Sequence, residues 1–194
     1  RSIATNVDWD CEVKTLFRDQ NLGCRLAVSQ AIDWFFENEP EGIILEDDCL
    51  PSQSFFLFCQ ELLELFRNDE NVGAICGFYS NELDYKPSAS YFFSRYLRVW
   101  GWAGWRRTFE GYDSQIKNQL GKNNTWKSNI FNRTDFLPIQ YFQKAFEAVA
   151  NGEIDTWDTQ LQYLLWGKEQ MVIVSSKNLI KNIGWSQGAH TLVK

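Results

Sequence analysis

Glu46, Asp47 and Asp48 stand side by side directly after the apolar run Gly42-Ile43-Ile44-Leu45. Adjacent carboxylates either raise one another's pKa or recruit a cation. Hard divalent ions such as Mg²⁺ and Mn²⁺ choose carboxylate oxygens, usually one or two of them together with substrate phosphates. The triplet therefore reads as a metal site or, alternatively, as a solvated acidic turn favoured by the N-terminus of the next helix. A second group is Trp100-Gly101-Trp102-Ala103-Gly104-Trp105. Three indoles this close, spaced by glycine and alanine, are not all expected inside one regular element. Indole faces stack on the apolar face of a sugar ring, and glycine lets a ligand approach the backbone; the alternative is a core ridge. Arg98, Arg106 and Arg107 flank this stretch, as partners for a diphosphate or as solvated surface charges. Asp155 and Asp158 bracket Thr156-Trp157, and Asp158 falls in the first turn of a helix. A carboxylate there either caps the helix or stands as a positioned proton acceptor. His190 is the single histidine, so a Ser-His-Asp or Cys-His hydrolase would have to use it.

The elements that position these groups follow from periodicity. Val13, Thr15 and Phe17 alternate with charged residues in a short strand over Cys11 to Phe17. Asp19 or Asn21 then caps a helix whose apolar residues run Cys24, Ala27, Val28, Ala31, Ile32, Phe35. Gly42 to Leu45 is a continuous apolar strand of the kind covered on both faces in parallel sheets. Pro51 and Ser52 open a helix with Phe55, Phe58, Cys59, Leu62 and Phe66 inward, and Val72 to Cys76 is the next buried strand. Strands are expected at Ser90 to Ser94 and Met171 to Val174, and helices at Ile139 to Ala150 and Trp157 to Trp166. Alternating strands and helices imply an α/β fold with a mostly parallel sheet. Ligands of such sheets sit beyond the carboxyl ends of the strands, where the acidic triplet stands.

Composition narrows the classes. The chain has 194 residues and a net charge of −6, which argues against coating nucleic acid or an anionic membrane. Its 44% hydrophobic content is that of a folded domain, and we read residues 1–194 as one domain. No apolar run approaches the roughly 20 residues that span a bilayer. There is no P-loop and no G-x-G-x-x-G motif. Five cysteines without a C-x-x-C pair suggest reduced thiols rather than zinc or a disulfide framework, and with them a cytoplasmic setting.

Ile44-Leu45-Glu46-Asp47-Asp48-Cys49-Leu50-Pro51 followed by Phe55-Phe56 resembles the D-x-D region of GT-A-fold glycosyltransferases. It is closest to the E-D-D variant of the Golgi N-acetylglucosaminyltransferase type, and it also resembles bacterial haemolytic-protein-like nucleotide-diphospho-sugar transferases. With gaps, the likeness runs from the helix at Asn21 to the tail at Thr191. It implies a GT-A (Rossmann-like), mixed and mostly parallel sheet flanked by helices and a cofactor that is a divalent metal, Mn²⁺ or Mg²⁺. It also implies a nucleotide-sugar donor and a glycan or other hydroxyl acceptor. Residue by residue, Asp48 would hold the metal, Asp47 approach the ribose and Glu46 the donor sugar. Trp100, Gly101 and Trp102 would border donor and acceptor, and His190 would help hold metal or diphosphate. Asp158, with Asp155 second, matches the acidic element that supplies the base in inverting members. That fold normally opens with a strand–helix unit for the nucleotide base, which is expected to be lacking before the first clear helix here. A nucleotidyltransferase and a non-catalytic carbohydrate-binding or interaction domain are the alternatives.

Overall fold

The computed structural model describes residues 5–80, 87–117, 120 and 136–184. Helix α1 (Gly23–Asn38) leads into strand β1 (Glu41–Ile44), the short strand β2 (Cys49–Pro51) and helix α2 (Gln53–Leu65). Strands β3 (Val72–Cys76), β4 (Tyr91–Ser94) and β5 (Trp102–Trp105) follow, then a single turn, α3 (Arg106–Phe109). Helices α4 (Phe136–Ala150) and α5 (Asp158–Gly167) precede β6 (Met171–Ser175) and β7 (Ile180–Asn182).

The main sheet has five strands in the order β1-β5-β3-β6-β4, and β2 pairs with β7 in a second, two-stranded sheet. The α/β class is as expected, but the sheet is mixed and mostly antiparallel, not mostly parallel. Among the described strands only β3 and β6 run parallel. The difference originates in β5. The tryptophan stretch, whose three indoles were not all expected inside one regular element, supplies a strand inserted between β1 and β3 and antiparallel to both. Its register sets Trp102 opposite Ile44 on one side and Cys76 on the other. The carboxyl ends of β1 and β3 therefore meet the start of β5 at one edge of the sheet. Glu46 and Trp100 are carried to that edge, and the Gly77 N–H closes it by donating to the Gly101 carbonyl at 2.9 Å.

Side chains alternate across the sheet as a strand requires. On one face Trp102, Ala74, Cys76, Val172 and Val174 pack under Ile32 and Phe36 of α1 and Leu161 and Leu165 of α5. On the other, Ile75, Ala103, Trp105 and Ile173 pack under Phe55, Cys59, Leu62 and Leu63 of α2. A third cluster joins α4 to α5 through Phe146, Val149, Tyr163 and Trp166. Each fully buried Phe or Leu of this kind contributes about 1.5–3 kcal/mol relative to exposure.

Two local expectations change. The segment 11–17 joins no ladder with a described strand, and its Val13 and Phe17 are exposed. Alternation makes a strand only where a neighbouring edge pairs with it; here Lys14 instead reaches Glu39 at 3.0 Å. Neither Asp19 nor Asn21 caps α1 in the expected way. Asn21 accepts from Gly23 N–H in a tight local turn, while the N–H groups of Cys24 and Arg25 donate to the Asp155 carboxylate at 2.9 and 3.4 Å. Gly23 has φ +74, and a Cβ there would lie 2.6 Å from Asp155 Oδ2. A distant acid thus caps α1 and ties it to the start of α5.

Candidate active site

β1 ends at Ile44, and the chain reverses within four residues. The Cys49 N–H donates to the Glu46 carbonyl at 3.0 Å, which leaves Asp47 and Asp48 at the tip of the turn. Asp47 is exposed. Asp48 is held from the other end of the chain: Asn182 Nδ2 donates to its Oδ2 at 3.1 Å, and the Ile183 N–H donates to its carbonyl at 2.8 Å. Cys49 Sγ donates to Asp48 Oδ1 at 3.5 Å. Gly184 is packed so closely that a Cβ on it would lie 2.5 Å from Asp48 Oδ2. Asn182 carries no sequence signal that would have singled it out; only the β2–β7 pairing, Cys49 opposite Asn182, brings it here.

Glu46 is half-buried. Its carboxyl is pushed up to about 7, first by burial and then by the negative charges of Asp48, Asp158 and Asp47. The start of α5 is thereby in electrostatic reach of the end of β1. Burial, with the charges of Glu46, Asp155 and Asp158, raises the Cys24 thiol at the N-terminus of α1. A folded Glu46 keeps its proton in a range where the unfolded chain has lost it. Between about pH 4.5 and about pH 7 the native state binds more protons, so stability falls as pH rises. We expect Glu46→Gln to flatten this dependence in metal-free protein. It should stabilise the fold by about 1–2 kcal/mol near pH 8 once solvent screening is allowed for. Urea midpoints in EDTA across that range measure it; parallel curves for the two proteins would refute it.

Asp158 opens α5. Its Oδ1 accepts from the Thr156 hydroxyl and from the Thr159 N–H at 2.8 Å, with the Thr159 hydroxyl at 3.5 Å. Among the described residues, Oδ2 takes no hydrogen bond. The backbone here is anchored by Trp157, whose ring stacks on Trp102 at 6.2 Å and whose carbonyl accepts from the Tyr112 hydroxyl at 2.9 Å. Asp155, the second expected base, has both oxygens on the N–H groups of α1, with Arg25 Nε 3.8 Å away. The structure gives it a capping role.

A cleft of about 510 Å³ is lined by Phe78, Ser80, Arg98, Trp100 and Asp158, among others. A second, of about 300 Å³, shares Leu97, Arg98, Val99 and Asp158 with it and is closed by Tyr96, Tyr141 and Phe142. The segment between them is clamped to α5. Gln162 accepts from the Leu97 N–H at 2.7 Å and donates to the Arg95 carbonyl at 3.1 Å, and Trp166 Nε1 donates to the same carbonyl.

The tryptophans divide. Trp100 lines the larger cleft, edge-on to Phe78 at 4.6 Å. Trp102, expected at the donor, is fully buried in the core, and so is Trp105, on the opposite face of the sheet. Two indoles do fit one strand when an odd spacing sends them to opposite sides. Gly101, expected to admit a ligand, has φ +67, and a Cβ there would meet Ile180 at 2.4 Å. It serves a tight turn against β7. The arginines divide too. Arg106 donates to the Phe36 carbonyl, and Arg107 donates to the Arg67 and Phe66 carbonyls while its guanidinium covers the Trp105 ring. Arg98 alone of the three reaches the clefts, and among the described residues it forms no ion pair.

His190 lies outside the described residues. Among those described, no group of three His, Cys, Asp or Glu side chains is arranged to hold a metal ion. The donor set fits a different mode, in which a hard cation takes one or two carboxylates and completes its shell with water and phosphate oxygens. Asp48 and Glu46 present such oxygens, and Glu46, raised first by burial, is raised further by the charges of Asp48, Asp158 and Asp47. All five cysteines are free, and among the described residues no helix is long and apolar enough to cross a membrane. No family model matches the chain, and the comparison with curated proteins finds no match.

Proposed function

We propose that this chain is the core of a metal-dependent glycosyltransferase of GT-A type, moving a sugar from a nucleoside-diphosphate sugar to an acceptor hydroxyl with inversion. The observation that carries the reading is Asp158: one oxygen anchored by Thr156 and Thr159, and the side chain bordering both clefts. A base must touch the acceptor while the donor lies on its other side, and a shared wall provides that arrangement. In the step, the acceptor O–H gives its proton to Asp158 Oδ2 as its oxygen bonds to the anomeric carbon. The bond from that carbon to the diphosphate breaks, and its electron pair leaves with the nucleoside diphosphate. Trp100 would cover the donor sugar, and Arg98 would face the departing charge. Asp48, with Glu46 beside it, would hold a Mn²⁺ or Mg²⁺ ion, which supplies Lewis-acid stabilisation of the leaving diphosphate when bound. Free thiols support a reducing, cytoplasmic setting. A non-catalytic platform of three tryptophans draws no support from a fold that buries two of them.

The test is release of nucleoside diphosphate from a panel of UDP-, GDP- and dTDP-sugars by the full-length protein with Mn²⁺. We expect release from at least one donor, suppressed by EDTA, and loss of most of the Mn²⁺ stimulation in Asp48→Ala. Absence of release from every donor would overturn the transferase reading. Undiminished stimulation in the variant would overturn the role of Asp48.

A further inference from the structure

We propose that the smaller cleft is the acceptor subsite and that its acceptor is a glycan, stacked on the ring of Tyr141. The inference rests on the transferase reading, since it takes Asp158 as the group the acceptor must reach. Asp158, Arg98, Val99 and Leu97 border both clefts, so a donor under Trp100 leaves the smaller space for the acceptor. Tyr141 is 69% exposed, belongs to none of the three core clusters and lines the smaller cleft. It stands on α4, a regular helix. Its neighbour Phe142 fixes the surface beneath it: Phe142 meets Tyr141 edge-on at 5.2 Å and packs on Tyr96 and Trp166 at 5.8 and 4.5 Å. The ring therefore presents an exposed apolar face at a cleft that Asp158 and Thr159 also line. One flat apolar face with polar groups at its margin matches a pyranose, which carries C–H groups on its face and hydroxyls around its rim. An acyl chain would need an enclosed apolar channel, and this cleft is small and edged by charge.

Binding of the labelled full-length protein to a printed glycan array, with Mn²⁺ and each of UDP, GDP and dTDP, tests this in wild type, Tyr141→Phe and Tyr141→Ala. Donor hydrolysis without acceptor is measured on the same three proteins. We expect wild type and Tyr141→Phe to retain the same glycans and Tyr141→Ala to bind them about tenfold more weakly, the loss expected for one well-placed ring. Donor hydrolysis should be equal in all three, because Tyr141 does not border the donor cleft. Equal glycan binding by Tyr141→Ala overturns the subsite, and so does a wild type that hydrolyses donor but retains no glycan. Tyr141-dependent glycan binding without hydrolysis of any donor upholds a glycan site on Tyr141 but overturns the transferase reading, and with it the name acceptor.

Discussion

Asp158→Asn is expected to lower sugar transfer by about 10²- to 10⁴-fold, the range over which a positioned general base acts. The substitution is nearly isosteric. Asparagine keeps a side-chain oxygen to accept from Thr156 and the Thr159 N–H, so the start of α5 stays formed and the protein should unfold at the same denaturant concentration as wild type. Donor affinity should also hold, since Asp158 is only one margin of the larger cleft. The outcome to look for is a fall in kcat with donor KM almost unchanged, which is the signature of an interaction made in the transition state. Transfer at more than about a tenth of the wild-type rate would remove Asp158 from the role. Asp155→Ala is the informative contrast, because its loss should act through stability: the Asp155 oxygens cap α1, and a lost cap costs about 1 kcal/mol.

The largest stability effect is expected at Trp102. Replacing this fully buried indole by alanine should cost about 3–5 kcal/mol, from lost transfer energy and the cavity that remains. That is a large share of the margin by which an ordinary domain is folded. The same residue stacks on Trp157, which immediately precedes Asp158, so a protein that survives the loss should also hold Asp158 less firmly. Trp102→Phe should cost far less. It keeps most of the ring volume and removes an indole N–H that is buried without a partner among the described residues. Trp100→Ala separates the two roles of the tryptophan stretch: Trp100 lines the cleft and packs only partly on the core, so its loss should lower stability by about 1–2 kcal/mol, well short of Trp102→Ala. Urea unfolding of the three variants decides the matter. A Trp102→Ala protein as stable as wild type would mean that the core packs otherwise.

Much of the framework was legible before the structure. The apolar runs at β1, β3 and β6 and the helical spacing in α1, α2, α4 and α5 are local patterns, and local patterns reach residue sequence directly. The acidic triplet was correctly placed at a strand end for the same reason. Asp158 was correctly placed in the first turn of a helix. What these residues do together was not legible, because it depends on pairings between distant segments. β5 was missed since a strand buried on both faces, with glycine and alanine between its tryptophans, shows no polar alternation. Missing it reversed the expected sense of the sheet.

The amino-acid sequence by itself marked the strands β1, β3, β4 and β6 and the helices α1, α2, α4 and α5, the excess of carboxylates, and where the candidate chemical groups stand along the chain. Only the tertiary structure decided which of those groups pack into the core or hold the backbone and which face the clefts. It buried Trp102 and left Trp100 at a cleft, assigned Arg106 and Arg107 to backbone carbonyls and Arg98 to open space, and used Asp155 as the cap of a helix far away in sequence. The physical reason is the antiparallel insertion of β5. Its register with β1 and β3 brings the ends of separate strands to one edge, and burial on its two faces sorts side chains that look equivalent in sequence.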